Sequence, residues 1–245
     1  SLNILVGYGG LTSLGHASFL GMAAYGSAWL TTSQGLDAWT AAPLALAAAV
    51  LTAAVFGWIA LRASGIGFLM ITLALSQVLW GLAYRWSSVT GGDNGLAGLG
   101  RPSLPGVDLN ASTPFFYFTL AVVALGMAVL MVFVASPLGT SLRGTRDQPR
   151  RMAALGHDVW RVRWIAFVFV GFLGGVSGLL YVYYHKYIHP SSLALGSSAE
   201  ALLGVMTGGT GTLAGPVVGA AIVLLLKNYV SGYVERWNML LGFVF

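Results

Sequence analysis

Hydrophobic positions along this chain gather into long unbroken runs. Runs of spanning length occupy about Ala17–Leu30, Ala42–Leu61, Ile66–Tyr84, Pro114–Val134, Trp164–Tyr184 and Leu213–Val230, with shorter pieces at Ala199–Met206 and from Asn238 onward. Strands of a membrane barrel would alternate over about ten residues. These runs are continuous and rich in Ala, Leu and Gly, so they predict helices. A membrane span needs about 20 residues at a 1.5 Å rise. The first run reaches that length only if residues before His16 extend it, and Ala199–Met206 is too short to cross. The pattern predicts an all-α polytopic membrane protein of about seven to eight helices, one of them a re-entrant half-helix, in a single domain over residues 1–245. Apolar sequence at Ser1 and a final run stopping at Phe245 predict that the natural chain continues at both ends.

Composition strengthens this reading. Hydrophobic residues make up 57% of the chain and charged residues 8%, with a mean hydropathy of +0.80. A soluble domain carries about 25% charged residues, so nothing here could dress a soluble surface. The recurrence of apolar runs along the whole length excludes a signal peptide as their explanation. The 34 glycines suit close helix approach in lipid. With no cysteine, disulfides are excluded. The pI near 9.7 is no sign of nucleic-acid binding, because the excess charge sits in one loop between apolar runs.

That loop is "SLRGTRDQPRRMAALGHDVWRVRW", Ser141–Trp164. Its six arginines and two aspartates contribute +4 of the net +5. Positive charge concentrates in short cytoplasmic loops, so residues 136–163 are expected inside. Span parity then sends Ala17–Leu30 outward, Ala42–Leu61 inward, Ile66–Tyr84 outward, Pro114–Val134 inward and Trp164–Tyr184 outward. Arg62 falls inside, as the rule expects. The loop Arg85–Thr113 falls outside with Arg85, Asp93, Arg101 and Asp108 roughly cancelling. Ala199–Met206 then dips in and turns back, and Leu213–Val230 runs inward, leaving Glu235 and Arg236 inside. "GGLTSLGHASFLGMAA" and "GGTGTLAGPVVGAA" echo each other. On this topology the helices after them run in opposite senses, which suggests an inverted repeat; a chance likeness of Gly/Ser/Thr-rich helix starts is the alternative.

The arginine loop also carries helix signals. Pro149 suits a first helical turn, with Asp147 or Gln148 as its cap. Gly156 stands where a left-handed residue after the helix is wanted, and Asp158 can cap the next helix. A short helix along the membrane face, built for a docking partner, is one reading. A solvated loop whose arginines meet lipid phosphates is the other.

Four blocks resemble the LivM-type permeases of branched-chain amino acid ABC transporters, and together they cover nearly the whole chain. "SPLGTSLRGTRDQPRRMAALGHDVWRVRWIAF" is similar to that family's cytoplasmic coupling loop. "GYGGLTSLGHASFLGMAAY" and "SAEALLGVMTGGTGTLAGPVVGAA" match two further family blocks, and "TGGDNGLAGLGRP" matches an outer loop more weakly. Gly144 stands where the family usually has alanine, and no glutamate occupies the region of the coupling motif. The helix position therefore carries over, and its individual contacts do not.

The resemblance implies a transport subunit of an ATP-driven importer in the prokaryotic inner membrane, carrying branched-chain amino acids or related small polar compounds such as amides or urea. It implies a second LivH-like permease, two ATP-binding subunits holding ATP and magnesium, and an extracytoplasmic substrate-binding protein, with no catalysis and no cofactor on this chain. Coupling to the ATPase would fall to Arg143, Arg146, Asp147, Arg150, Arg151, Ala154, Leu155 and Gly156. The chain has no G-x-x-x-x-G-K-[ST] loop of its own. A secondary transporter or channel for a small polar solute is the competing class, and would need intramembrane ionisable pairs.

Residues expected on the transport path are Ser13, His16, Glu200, Gly208, Gly209, Gly211 and Thr212. An ionised group at span centre costs about 2.5–3.5 kcal/mol on insertion scales, so such groups face a cavity or partner. Glu200 either lines the path or is a surface carboxylate stabilised by the half-helix dipole. His16 is either a relay or a buried neutral histidine. Gly208, Gly209 and Gly211 allow a tight break and close packing. Asp93 and Asn94 are turn residues whose outer position also suits docking of a binding protein. Trp80, Tyr84, Trp86, Tyr181, Tyr183, Tyr184 and Tyr187 read as an outer interfacial belt, and His185 and His189 lack the spacing of a metal site.

Overall fold

A computed structural model describes residues 1–102 and 109–230. Asp108, Glu235, Arg236 and the run from Asn238 lie outside the described residues. A π-helical turn, Ile4–Tyr8, is followed by α1 (His16–Thr32), α2 (Ala38–Ala60), α3 (Ile66–Arg85) and the short α4 (Ser87–Thr90). Then come β1 (Leu96–Ala97), α5 (Ser112–Ala135), α6 (Pro137–Asp147), α7 (Pro149–Ala154) and α8 (Val159–His185). β2 (Tyr187–Ile188), α9 (Leu195–Gly208), α10 (Gly215–Leu225) and a second π-helical turn, Leu226–Val230, complete the described chain. The protein is an all-α polytopic membrane protein. Among the described residues α2, α3, α5 and α8 are long and apolar enough to cross a membrane, and Gly215–Asn228, which contains α10, is a shorter apolar helix.

The core is a layer of α1 and α2 packed on α8. Small residues set the spacing, because lipid supplies no hydrophobic drive between helices and close backbone approach must supply the contact. A methyl on Gly178 would lie 2.1 Å from the Leu20 carbonyl oxygen, and one on Gly171 would lie 2.2 Å from the Ala53 methyl. Phe167 anchors the centre, edge-on to Phe19 at 5.6 Å and to Phe68 at 6.0 Å. Trp164 Nε1 donates to the Ala54 carbonyl at 2.9 Å, so the one polar atom of that ring is satisfied.

These contacts fix directions. Contacts of Gly171 with Phe19 and of Gly178 with Leu20, and the hydrogen bond of Tyr183 to Ser27, make α1 parallel to α8. The Ala54–Trp164 and Ala38–Tyr183 pairs make α2 antiparallel to it. Phe133 stacks on Phe169 and Phe115 on Tyr184, so α5 returns toward the arginine-rich end. Leu14 meets Thr72 and Ser18 meets Ser76, so α3 runs parallel to α1, and the five helices have the relative directions expected from span parity. His16 lies beside Gly174, about half-way along α8, so α1 begins near mid-depth. Residues 9–15 reach that point without regular structure, covered by α3 and α6, as irregular backbone at membrane depth requires.

The last two helices differ from expectation. α9 has 14 residues, about 21 Å, so it is a half-helix as its length predicts. It starts level with α1, where Ser198 Oγ accepts from the Ala17 amide at 3.1 Å, and runs toward the arginine-rich end. There the chain turns. A methyl on Gly219 would lie 2.0 Å from the Gly204 carbonyl oxygen, so α10 climbs back antiparallel to α9 in contact with its backbone. The pair is a re-entrant hairpin with α10 as its returning limb, and α10 runs away from the arginine-rich end where a run toward it was expected. α1 and α10 thus run in the same sense, so the two glycine motifs do not head oppositely directed helices. Span parity missed this because α9, too short to cross alone, still carries the chain to the inner end.

Candidate functional site

A cavity of about 550 Å³ opens between the α9–α10 hairpin, the start of α1 and the end of α8. Its polar lining is Ser1, His16, Tyr181, Ser191, Ser192, Ser197, Glu200 and Lys227. Lys227 Nζ lies 2.8 and 2.9 Å from the two Glu200 oxygens, a bidentate pair bridging α9 to the turn after α10. Both side chains are about 40% exposed, so the pair faces open space instead of being sealed between helices. Ser1 Oγ lies 3.1 Å from His16 Nε2, and Ser192 Oγ donates to Tyr181 Oη at 3.3 Å. His16 Nδ1 faces Gly174 and is buried with no hydrogen-bond partner among the described residues.

Of the residues expected on the path, His16 and Glu200 line this cavity. Gly208, Gly209, Gly211 and Thr212 form the hairpin tip, and Ser13 lies in the segment before α1. Ser13 is buried, and its Oγ accepts from the Gly15 amide at 3.2 Å. Gly209 and Gly211 have φ of +90° and +101°, which a side chain would strain. Gly208 packs directly on the Gly215 carbonyl, and Thr212 Oγ1 accepts from the Gly215 amide at 3.1 Å, starting α10. Asn3 grips this tip with both ends of its amide. Nδ2 donates to the Thr212 carbonyl at 2.8 Å, and Oδ1 accepts from the Gly211 amide at 3.4 Å.

The arginine segment is two helices, where one was expected. Ser136 caps α6 by accepting from the Gly139 amide at 3.3 Å, with Pro137 in the first turn. α7 runs Pro149–Ala154 and ends in a Schellman motif. Gly156 has φ +87°, and the His157 and Gly156 amides donate to the Met152 and Ala153 carbonyls. Asp158 caps α8 by accepting from the Arg161 amide at 3.0 Å, as expected. Gln148 occupies the N-cap of α7 without a side-chain hydrogen bond, and Asp147 closes α6, so neither caps α7 with its side chain. Gly144 also finds its reason: a methyl there would lie 2.6 Å from Met152 Sδ, so glycine lets α7 fold against α6.

The arginines divide by task. Arg146 donates to the Gly7 carbonyl, Arg143 sits 4.7 Å over the Tyr8 ring, and Arg163 donates to the Thr145 carbonyl at 2.7 Å. These tie α6 to the N-terminal turn and to α8. Arg150, Arg151 and Ala154 on α7 and Leu155 at its C-cap face outward instead, Leu155 being 69% exposed.

At the opposite end β1 pairs antiparallel with β2. Asp93 lies 3.8 Å from His189, Tyr187 Oη donates to the Asn94 carbonyl at 2.9 Å, and Arg101 stacks 4.0 Å over Phe115. The outer aromatic belt is only partly one. Trp80 stacks on Tyr84, and Tyr84, Trp86, Tyr184 and Tyr187 are exposed, whereas Tyr183 is buried against Ser27 and Tyr181 belongs to the cavity.

Sequence reasoning missed Lys227, Tyr181, the serines at 191, 192 and 197, and Asn3. Lys227 had a usable signal, a lone cation in an apolar run. Asn3 had none, since its partners are 208 and 209 residues away.

A family profile described as "Branched-chain amino acid transport system / permease component" matches residues 1–245. The chain is 27% identical over 264 residues to the high-affinity branched-chain amino acid transport system permease protein LivM of Salmonella typhimurium strain LT2. It is 26% identical to the protein of the same name from Escherichia coli K12. Each match covers 98% of this chain and 62% of the relative, so the chain spans under two thirds of their length. No solved structure matches it significantly. With its helical membrane fold and a profile match from end to end, the chain belongs to the family of branched-chain amino acid transport permease components.

Proposed function

We propose that this chain is a membrane-spanning subunit of an ATP-driven importer in a prokaryotic inner membrane. It carries branched-chain amino acids, or related small polar compounds such as amides or urea, into the cytoplasm. Its partners are a second LivH-like permease, two ATP-binding subunits that hold ATP and magnesium, and an outer substrate-binding protein. The two LivM relatives carry the family part of this reading. The arginine-rich end is then cytoplasmic, and the loop around Asp93 and Asn94 faces the binding protein.

One structural observation carries the mechanism. Exposed α7 rests on α6 through Met152 and Gly144; α6 holds the N-terminal turn through Arg146 and Arg143; and that turn holds the hairpin tip through Asn3. A push on α7 from a closing ATPase reaches α9 and α10 through packed groups and hydrogen bonds. α7 is the docking helix, and Arg143 and Arg146 are the linkage behind it.

The Glu200–Lys227 pair is the observation that favours the competing class, an ion-coupled secondary transporter. Reconstitution separates them. Proteoliposomes holding the complex and its binding protein are expected to accumulate radiolabelled leucine only with internal ATP and magnesium. Uptake driven by a proton or sodium gradient without ATP would overturn the importer reading.

A further inference from the structure

We propose that Glu200 and Lys227 form a binding site for the charged ends of a zwitterionic α-amino acid, the carboxylate taking the place of Glu200 on Lys227 and the ammonium going to Glu200. This deepens the importer reading and rests on it. The pair spans the cavity wall with both partners open to it, and the cavity of about 550 Å³ is roomy for a molecule of leucine's size. An α-amino acid carries its ammonium and carboxylate two bonds apart on one carbon. It can insert between Lys227 and Glu200 and replace one ion pair by two.

Charge balance gives the selectivity. Glu200 and Lys227 together are neutral, and so is a zwitterion, so insertion leaves no uncompensated charge at membrane depth. A carboxylic acid anion or an amino-acid amide cation would leave one, which is costly there. The other polar side chains lining the cavity, Ser1, Ser191, Ser192, Ser197, Tyr181 and His16, hydrogen-bond without fixing a sign of charge. Opening the pair also separates α9 from the turn after α10, the hairpin whose tip Asn3 holds, so occupancy and hairpin geometry are linked.

The chain's lack of cysteine makes the test direct. Ser197→Cys, on the cavity wall, is labelled with a small maleimide in the nanodisc-held complex without its binding protein. Leucine is expected to slow labelling at least tenfold, while leucinamide and 4-methylpentanoate at equal concentration do not. Glu200→Gln and Lys227→Met, each added to Ser197→Cys, are expected to raise the protecting leucine concentration at least tenfold. Equal protection by the three compounds, no protection by leucine, or protection unchanged in both variants would overturn the site. ATP-dependent uptake by the unaltered complex reports on the importer reading alone. Uptake without protection therefore sinks only the site, and loss of ATP dependence sinks the reading beneath it.

Discussion

Single residues matter here where a backbone passes close or turns left-handed. Within the packed layer Gly178 is such a case, since a methyl there meets the Leu20 backbone rather than a side chain that could swing away. Gly178→Ala is expected to destabilise the α1–α8 contact by about 1–3 kcal/mol, the usual cost of overpacking. A lowered unfolding temperature of the detergent-solubilised protein is the readout, with Gly81→Ala, which meets nothing within 4 Å, as the neutral control. Asp158→Ala removes the side-chain cap of α8 and is expected to cost about 1 kcal/mol. Measured against Gly178→Ala in the same assay, it should be the milder change. Gly178 was visible in the sequence only as one of many glycines, because its need arises from Leu20, 158 positions away. Asp158 was readable outright, because a cap acts on its own helix.

At the scale of elements, α7 and the α9–α10 hairpin are the parts that invite perturbation. Deleting Arg150–Leu155 removes exposed side chains and the half-buried Met152 contact to Gly144, while the partners of Arg143, Arg146 and Arg163 lie outside the deleted stretch. The expected result is a permease that still inserts but supports no ATP-dependent uptake; uptake at the original rate would refute α7 as the docking helix. Asn3→Ala cuts the only side-chain hydrogen bonds seen between the N-terminal turn and the hairpin tip among the described residues. ATP hydrolysis is expected to persist while leucine uptake falls severalfold, and a parallel loss of both would place Asn3 in folding instead. Helix α7 was legible because proline, glycine and good helix formers act within one short stretch, Pro149 to Gly156. α6 went unread although Ser136–Pro137 announced its start, since the charge of the segment suggested a solvated loop.

On the scale of the whole molecule the arrangement is two groups, a packed layer of α1, α2 and α8 and a re-entrant hairpin at its arginine-rich half. Direction is testable because any introduced cysteine is unique in this chain. A membrane-impermeant maleimide is expected to reach Ala154→Cys and Thr210→Cys only from the cytoplasmic side, and Ala97→Cys only from outside. Labelling of Thr210→Cys from outside would restore an inward-running α10. The sequence by itself determined the membrane class, the helical content, the directions of five helices and the stops of the arginine segment. Those follow from hydropathy, charge placement and caps, which act within one helix or against the bilayer. Only the tertiary structure decided that α10 climbs away from the arginine-rich end, that Asn3 clasps the glycine tip, and that Lys227 meets Glu200. Each of these joins positions far apart in the chain through close packing or a specific hydrogen bond, and no local pattern encodes which distant partner is met.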